Sequence, residues 1–415
     1  PALRVHSRPF VVPFRPTRVF LLAAPMFESA ILNHAARVLG ETAPDFPADA
    51  ALRRYLGLAR RLGPREKRAV SRVVFIYYRW LQWLNPKESL QKQLAHAADL
   101  HDRFTRDPKS IKPETLAARA VPQWLRDEME LTTPFLQQLQ REPALWLRAR
   151  PGAAAQLAQQ LGDCSPASIS GPSSESDAAS SPAPDALRYT GHQDLFLTPA
   201  FHAGAFEIQD LASQLVSIAA APAPKQTWWD ACAGEGGKTL HLADLMQNKG
   251  LIWSTDRNPR RLETLKRRAA RAHIFNFRTA LWDGGPRLPT KTKFDGVLVD
   301  APCSGVGTWQ RNPHARWTTT LDDVRELAAV QRALLEHVAN SLKPGGKLIY
   351  SVCTLTRSET TAVASAFTAA HDDFEPLPLS QLSTLNSRPS APSQLFLFPH
   401  ELNANGMFIA AWRKR

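Results

Sequence analysis

Thr227-Trp-Trp-Asp230 runs directly into Ala231-Cys-Ala-Gly-Glu-Gly-Gly-Lys-Thr239, a short apolar strand followed by a glycine-rich turn. From Lys238 through Met246 the pattern is that of a helix. Glycines let a backbone approach a ligand closely, and the free N–H groups of a helix start favour a carboxylate or phosphate. A nucleotide-triphosphate loop of the form G-x-x-x-x-G-K-[ST] needs glycine at 232, where Cys232 stands, although Gly237-Lys238-Thr239 supplies its end. A dinucleotide fingerprint counted from Gly234 and Gly236 needs its third glycine at Thr239 and also fails. What remains is a nucleoside ligand carrying a small charged group.

The following strands extend that reading. Leu251-Ile-Trp-Ser-Thr255 ends in Asp256, about 20 residues beyond the glycines, where a carboxylate can grip ribose hydroxyls. Trp282-Asp283 closes the next strand-like stretch, with Asp283 able to bond an adenine amine or a backbone group. Either acid alone could merely cap the element that follows it. Together, after such a turn, they point to S-adenosylmethionine.

Two cysteines suggest what the ligand is for. Gly296-Val-Leu-Val299 and Lys347-Leu-Ile-Tyr350 have the length and branched content of buried parallel strands. Cys303, in Asp300-Ala-Pro-Cys-Ser-Gly305, and Cys353, in Tyr350-Ser-Val-Cys-Thr354, each follow such a run by a few residues. Reactive groups in open α/β sheets collect at the carboxyl ends of the strands, so both thiols can face one substrate. The competing reading is a buried small hydrophobe, the usual role of free cysteine. Cys164 and Cys232 fit that reading, and four cysteines without a C-x-x-C pair argue against zinc and against a disulfide framework. No metal site is expected, and a reducing cytoplasm suits reactive thiols.

The chain has 415 residues with 51 Lys plus Arg against 38 Asp plus Glu, a net charge of +13. Such a surface attracts polyanions, although a merely basic protein is the plainer alternative. No apolar run approaches the ~20 residues a bilayer requires, so no membrane is expected. Residues 1–25 contain four arginines and no acid and read as a targeting or non-native extension, with Met26 as the favoured start.

Residues 26–112 are expected to form an all-α module, with Val70, Val73, Val74, Tyr77, Leu81 and Leu84 on one helical face and Pro64 opening that helix. Its basic residues suit RNA, and its Tyr77, Tyr78, Trp80 and Trp83 read as core. Residues 113–200 read as a linking subdomain, largely continuing the helical run through Leu145-Trp-Leu-Arg148, with a flexible Ser/Pro/Ala insertion at 165–187. From 201 to 415, strands alternate with amphipathic helices, the signature of a parallel sheet with crossovers.

These motifs resemble the RsmB/NOP2/NSUN family of RNA cytosine-5 methyltransferases, its bacterial rRNA branch in particular. The resemblance rests on Asp230 to Thr239, on Asp256-Arg-Asn-Pro-Arg-Arg261, on Trp282-Asp283 and on the two cysteine motifs. Phe206-Glu-Ile-Gln-Asp210, Arg316-Trp317, Pro399-His400 and Gly406-Met-Phe-Ile409 also fit, and Arg60-Arg-Leu-Gly-Pro-Arg65 is similar to a NusB-like domain. Three positions depart from the pattern: Glu235 where proline is usual, His314 in place of an acid, and Asn405 in place of Asp.

The resemblance implies a Rossmann-like class I methyltransferase domain with a mostly parallel seven-stranded sheet, preceded by the NusB-like module. It implies that Cys353 attacks carbon 6 of the cytosine and that Cys303 assists release, with Asp300 on the pyrimidine edge and Lys238 as supporting cation. Cys232, Ala233, Gly234, Glu235, Gly236, Gly237, Lys238, Asp256, Arg261, Asp283 and Asp300 would hold S-adenosylmethionine. The implied substrate is small-subunit rRNA or its precursor particle, met by a monomer. Two other readings stand beside it: a DNA cytosine methylase with Cys303 as nucleophile, and a noncatalytic RNA-binding assembly factor.

Overall fold

The computed structural model describes residues 28–43, 46–167, 183–385 and 392–415. The extension at 1–25 and the middle of the Ser/Pro/Ala stretch lie outside the described residues.

Helices Ser29–Gly40, Ala48–Leu58, Pro64–Trp80 and Leu90–Arg106 form the first module. Pro64 occupies the first helical position, where its missing N–H costs nothing, and Glu66 accepts the Gly63 N–H at 2.7 Å. Val70, Val73 and Val74 are buried against Ile31, Val38 and Leu52. Tyr77 packs edge-on against Tyr78 and Trp80 against Trp83, so the aromatics are core rather than a stacking platform.

Four short strands follow: β1 (Leu145–Ala149), β2 (Cys164–Pro166), β3 (Ala186–Tyr189) and β4 (Phe206–Ile208). They pair antiparallel in the order β2-β3-β1-β4. Three expectations change here. Leu145-Trp-Leu-Arg148 is a strand, not the end of a helical run. At the margins of the expected flexible insertion, Ser165 and Pro166 of β2 pair with Arg188 and Leu187 of β3, and Ala186 of β3 pairs with Arg148 of β1. The strand β4, beyond residue 200, closes this small sheet rather than opening the larger one.

The larger sheet contains β5 (Thr227–Asp230), β6 (Leu251–Asp256), β7 (Phe277–Leu281), β8 (Phe294–Asp300), β9 (Leu342–Val352), β10 (Phe374–Pro376), β11 (Gln394–Leu397) and β12 (Met407–Lys414). Its order is β10-β12-β9-β8-β5-β6-β7, with β11 also on β12. Pairings from β7 through β9 are parallel, whereas β12 runs antiparallel to β9, β10 and β11. The sheet is therefore mixed and, among the described residues, has eight strands, not seven. Eight-residue β12 is long enough for β11 to pair with Met407 to Ala410 and β10 with Trp412 to Lys414, two short strands in tandem along one edge.

Successive residues of each central strand point to opposite faces. Trp228, Leu298, Ile349 and Ile409 pack with Leu211 to Ala220 and Leu240 to Met246 on one side. Trp229, Val297, Val299, Leu348, Tyr350 and Phe408 pack with Leu334, Leu335, Val338 and Val363 on the other. Strand order reverses between β5 and β8, the kind of switch point at which open α/β sheets bind ligands outside the carboxyl ends of the strands.

The modules interlock through buried side chains. Arg79 donates to the Gln310 carbonyl at 2.9 Å, and Arg316 to those of Ala120 at 3.0 Å and Leu139 at 2.9 Å. The Trp317 indole donates to the Tyr78 carbonyl at 2.7 Å. Between the small sheet and the helix Pro259–Arg271, buried Glu207 meets Arg150, Arg268 and Arg271.

Candidate functional site: two thiols and a glycine-rich loop at the switch point

Parallel pairing of β8 with β9 sets Asp300 opposite Ser351. Cys303 follows Asp300 by three residues and Cys353 follows Ser351 by two, so the two loops leave the same sheet edge together. Their sulfurs lie 3.3 Å apart, a hydrogen-bonded pair of free thiols. The Cys353 thiol is held below its ordinary value, chiefly by the hydrogen bond from Cys303 and further by Lys238, against the opposing effects of burial and Asp300. The Cys303 thiol is pushed well up by that same bond and by burial. One sulfur is therefore prepared as a thiolate and the other as its proton donor.

Lys238 is not a solvated helix-start cation. It is buried, and its Nζ donates to Asp300 Oδ2 at 2.7 Å. Asp300 Oδ1 accepts the Ser351 hydroxyl at 2.8 Å. Its neighbours, Asp300 first, raise the Lys238 ammonium above its ordinary value despite burial, so it stays charged beside Cys353. Lys238, Asp300, Cys303 and Cys353 thus form one cluster.

The glycine-rich loop borders that cluster. Gly234 has φ +54° with open space where a side chain would stand, and its N–H is held by Asp256 Oδ2 at 3.0 Å. Gly236 has φ +85°, and a Cβ there would come within 2.5 Å of Leu265. Both features require glycine. The Ala233 N–H bonds to the Thr255 carbonyl at 2.8 Å, tying the loop to β6. No side chain caps the helix Gly237–Leu245, which leaves its first N–H groups without a side-chain partner. A bare Gly234 position beside an uncapped helix start is suited to a carboxylate, and an acid at the end of β6, here Asp256, to a ribose. Asp256 also accepts the Asn258 N–H at 2.8 Å and lies 3.9 Å from Arg261.

The remaining sequence-assigned groups are less directly placed. Cys232 is a neutral thiol, pushed far up by burial and by Asp230, Asp300 and Asp256, so it fills space. Asp283 is exposed and accepts the Gly285 N–H at 2.9 Å, capping its own turn. Glu235 is exposed, and its carbonyl, not its carboxylate, bonds Arg268 at 3.0 Å. Neither of the other two departures touches the thiols: His314 packs edge-on against Tyr78, and Asn405 donates its backbone N–H to Asp210. Along the basic helix, Arg268 and Arg271 are consumed by Glu207, while Arg257, Arg260, Arg261, Lys266 and Arg267 remain exposed.

Several groups around the thiols were missed by sequence reasoning, among them Ser351, Glu359 and Gln331. Ser351 lies inside the quoted second cysteine motif, whereas Glu359 had no signal beyond its position six residues after Cys353. Asp230 is buried with its Oδ2 bonded to the Thr239 hydroxyl at 2.6 Å and its Oδ1 unpartnered. Burial raises that carboxyl to about 7. Among the described residues no group of three or more His, Cys, Asp or Glu could hold a metal ion, and no helix is long and apolar enough to cross a membrane.

The solved structures of similar shape place this as a methyltransferase fold. The crystal structure of PH0851 superposes with a TM-score of 0.70 at 24% identity over 93% of this chain and 98% of that one. A methyltransferase homolog protein from Pyrococcus horikoshii gives 0.54 at 25% identity over 68% of this chain and 90% of its own. A family described as 16S rRNA methyltransferase RsmB/F matches residues 217–413. Ribosomal RNA small subunit methyltransferase B of Shewanella oneidensis is 31% identical over 317 residues, 73% of this chain and 69% of that protein. The chain belongs to the RsmB/F family. It is also 38% identical over 222 residues to the probable ribosomal RNA small subunit methyltransferase B of Bacillus subtilis, a match over 52% of this chain. It spans about half the length of that relative.

Proposed function

We propose that the chain transfers a methyl group from S-adenosylmethionine to carbon 5 of a cytosine in small-subunit rRNA, through a covalent bond between Cys353 and carbon 6. The observation that carries this is the pair of sulfurs 3.3 Å apart with opposite displacements of their acidities, beside a buried Lys238–Asp300 pair.

Carbon 5 of cytosine is a weak nucleophile. Adding the Cys353 thiolate to carbon 6 turns carbon 5 into an enamine-like centre. When bound, S-adenosylmethionine supplies an electrophilic methyl on a sulfonium. The glycine-rich loop and the uncapped helix start would hold its carboxylate, and Asp256 its ribose. Asp300 would bond the pyrimidine edge at N3 or N4. After methyl transfer the hydrogen on carbon 5 leaves as a proton to Cys303, whose own proton has passed to solvent. The electron pair left behind restores the carbon 5–carbon 6 double bond and expels the Cys353 thiolate. Because carbon 6 is hidden in a stacked duplex, the target base is unpaired or turned out.

The helical module supports docking on RNA as a NusB-like domain, with Arg53, Arg54, Arg60, Arg61, Arg65 and Arg68 exposed. A monomer acting in the cytoplasm is the simplest arrangement of this reading. The DNA-methylase reading makes Cys303 the nucleophile and is disfavoured by the pKa of that thiol, which is raised where that of Cys353 is lowered. Incubation with labelled cofactor and unmodified rRNA tests the proposal: label should enter at carbon 5 of cytosine, and Cys353→Ala should abolish it. Cofactor binding without transfer would favour a noncatalytic assembly factor.

A further inference from the structure

Glu359 is fully buried, six residues beyond Cys353, and no step above uses it. Its Oε1 accepts the Ser304 N–H at 2.8 Å and the Gln331 amide at 3.0 Å. Its Oε2 accepts the Ser304 hydroxyl and the Thr356 hydroxyl, the latter at 2.8 Å. A carboxylate offers about four lone-pair sites, and here all four face donors. The Ser304 N–H and the Gln331 amide can only donate, so Oε1 is held as an acceptor, and the two hydroxyls at Oε2 complete the set.

The donors come from both cysteine loops. Ser304 directly follows Cys303, and Thr356 lies three residues after Cys353. With its proton given to Glu359, the Ser304 hydroxyl is left to accept from Thr354 Oγ1 at 2.9 Å, a second link between the loops. Gln331 also donates to the Pro302 carbonyl at 2.9 Å, pinning the other side of Cys303. Glu128 reaches in from the preceding subdomain, where it accepts both the N–H and the hydroxyl of Ser358. This is more anchoring than a surface turn requires.

We propose that Glu359 is a positioning residue that locks the two cysteine loops in register and keeps a fixed negative charge behind Cys303. That charge favours the protonated form of Cys303, the form that donates to Cys353, and its effect on Cys303 is in the expected direction. The kinetic consequence rests on the methyl-transfer reading; the charge and register do not.

Two variants test it. In a Cys353→Ser background, the pH profile of Cys303 alkylation by iodoacetamide, read by peptide mass, should move to lower pH by at least about half a unit on Glu359→Gln. An unmoved profile in a variant that melts cooperatively overturns the proposal. Ser304→Ala keeps the charge but removes the hydroxyl bridge, and carries the test if Glu359→Gln does not fold. It should lower kcat several-fold at unchanged KM and increase the trapped RNA–protein adduct, and wild-type kcat with no added adduct would overturn the register claim. Should the wild type transfer no methyl group at all, the functional reading fails while the alkylation arm still decides the charge.

Discussion

Replacing Lys238 with Met keeps the length of the side chain but removes the one cation in the thiol cluster. The lysine is buried and bonded to Asp300 at 2.7 Å, so solvent screens its charge poorly. Its presence lowers the Cys353 pKa, while that of Asp300 raises it. Without the lysine the hydrogen bond from Cys303 works alone against burial and the Asp300 carboxylate. An opposite charge at such a site shifts a pKa by about 1–3 units, and the lower half of that range suits a pair whose acid is partly exposed. Below the thiol's pKa each unit removes tenfold of thiolate, so adduct formation near pH 7 should slow by roughly 10- to 100-fold. The assay is the first-turnover rate of covalent capture of RNA containing 5-fluorocytosine, followed from pH 6 to 10. The variant should recover as pH rises, its midpoint displaced upward from that of the wild type. A midpoint identical to wild type, with the whole loss in KM, would refute the assignment of Lys238 to thiolate stabilisation. Stability should also fall, toward the lower end of the ~3–5 kcal/mol expected when one partner of a buried pair is removed.

Glu207→Gln strips the shared partner from Arg150, Arg268 and Arg271. It should lower stability by about 3–5 kcal/mol in urea unfolding, since three cations are then left close together. Asp230 binds its proton more tightly folded than unfolded, with a carboxyl raised to about 7 from 3.8. Its ionisation therefore costs stability progressively as pH rises from about 4 to 7, and Asp230→Asn should melt increasingly well relative to wild type over that window. A constant difference between the two melting curves across that range would contradict the assignment. Gly307→Ala drives a Cβ to 2.0 Å from the Gly406 carbonyl oxygen, in the turn just after Cys303. A loss of about 3 kcal/mol or more is expected, seen as a lower melting temperature or insoluble expression.

Much of the larger sheet was legible because its strands are short apolar runs punctuated by glycine, Asp and Pro. Thr227–Asp230 and Leu251–Asp256 form strands where the sequence places them, and the pairing of Asp300 with Ser351 brings together thiols that lie 50 residues apart. The eighth strand was not legible. Gln394–Leu397 and Phe374–Pro376 are too short to announce themselves, and they pair only because β12 has a free edge long enough for both. Leu145–Ala149 was hidden for a different reason: a four-residue apolar run after helical sequence carries no period of its own, and its partners Ala186–Tyr189 and Phe206–Ile208 are remote. Nothing in the local sequence ties Arg268 and Arg271 to Glu207, more than 60 residues earlier, which is folded against them. Glu359 and Gln331 were invisible because their role lies in the donors they meet across the loops, not in any motif spacing.

The division of labour between the sulfurs can be read from one adduct. Wild-type protein captured on rRNA fragments bearing 5-fluorocytosine, digested and sequenced by mass spectrometry, should carry the nucleotide on the peptide containing Cys353, with Cys303 unmodified. A nucleotide found on Cys303, or on neither thiol in a preparation that transfers methyl groups, would contradict the account.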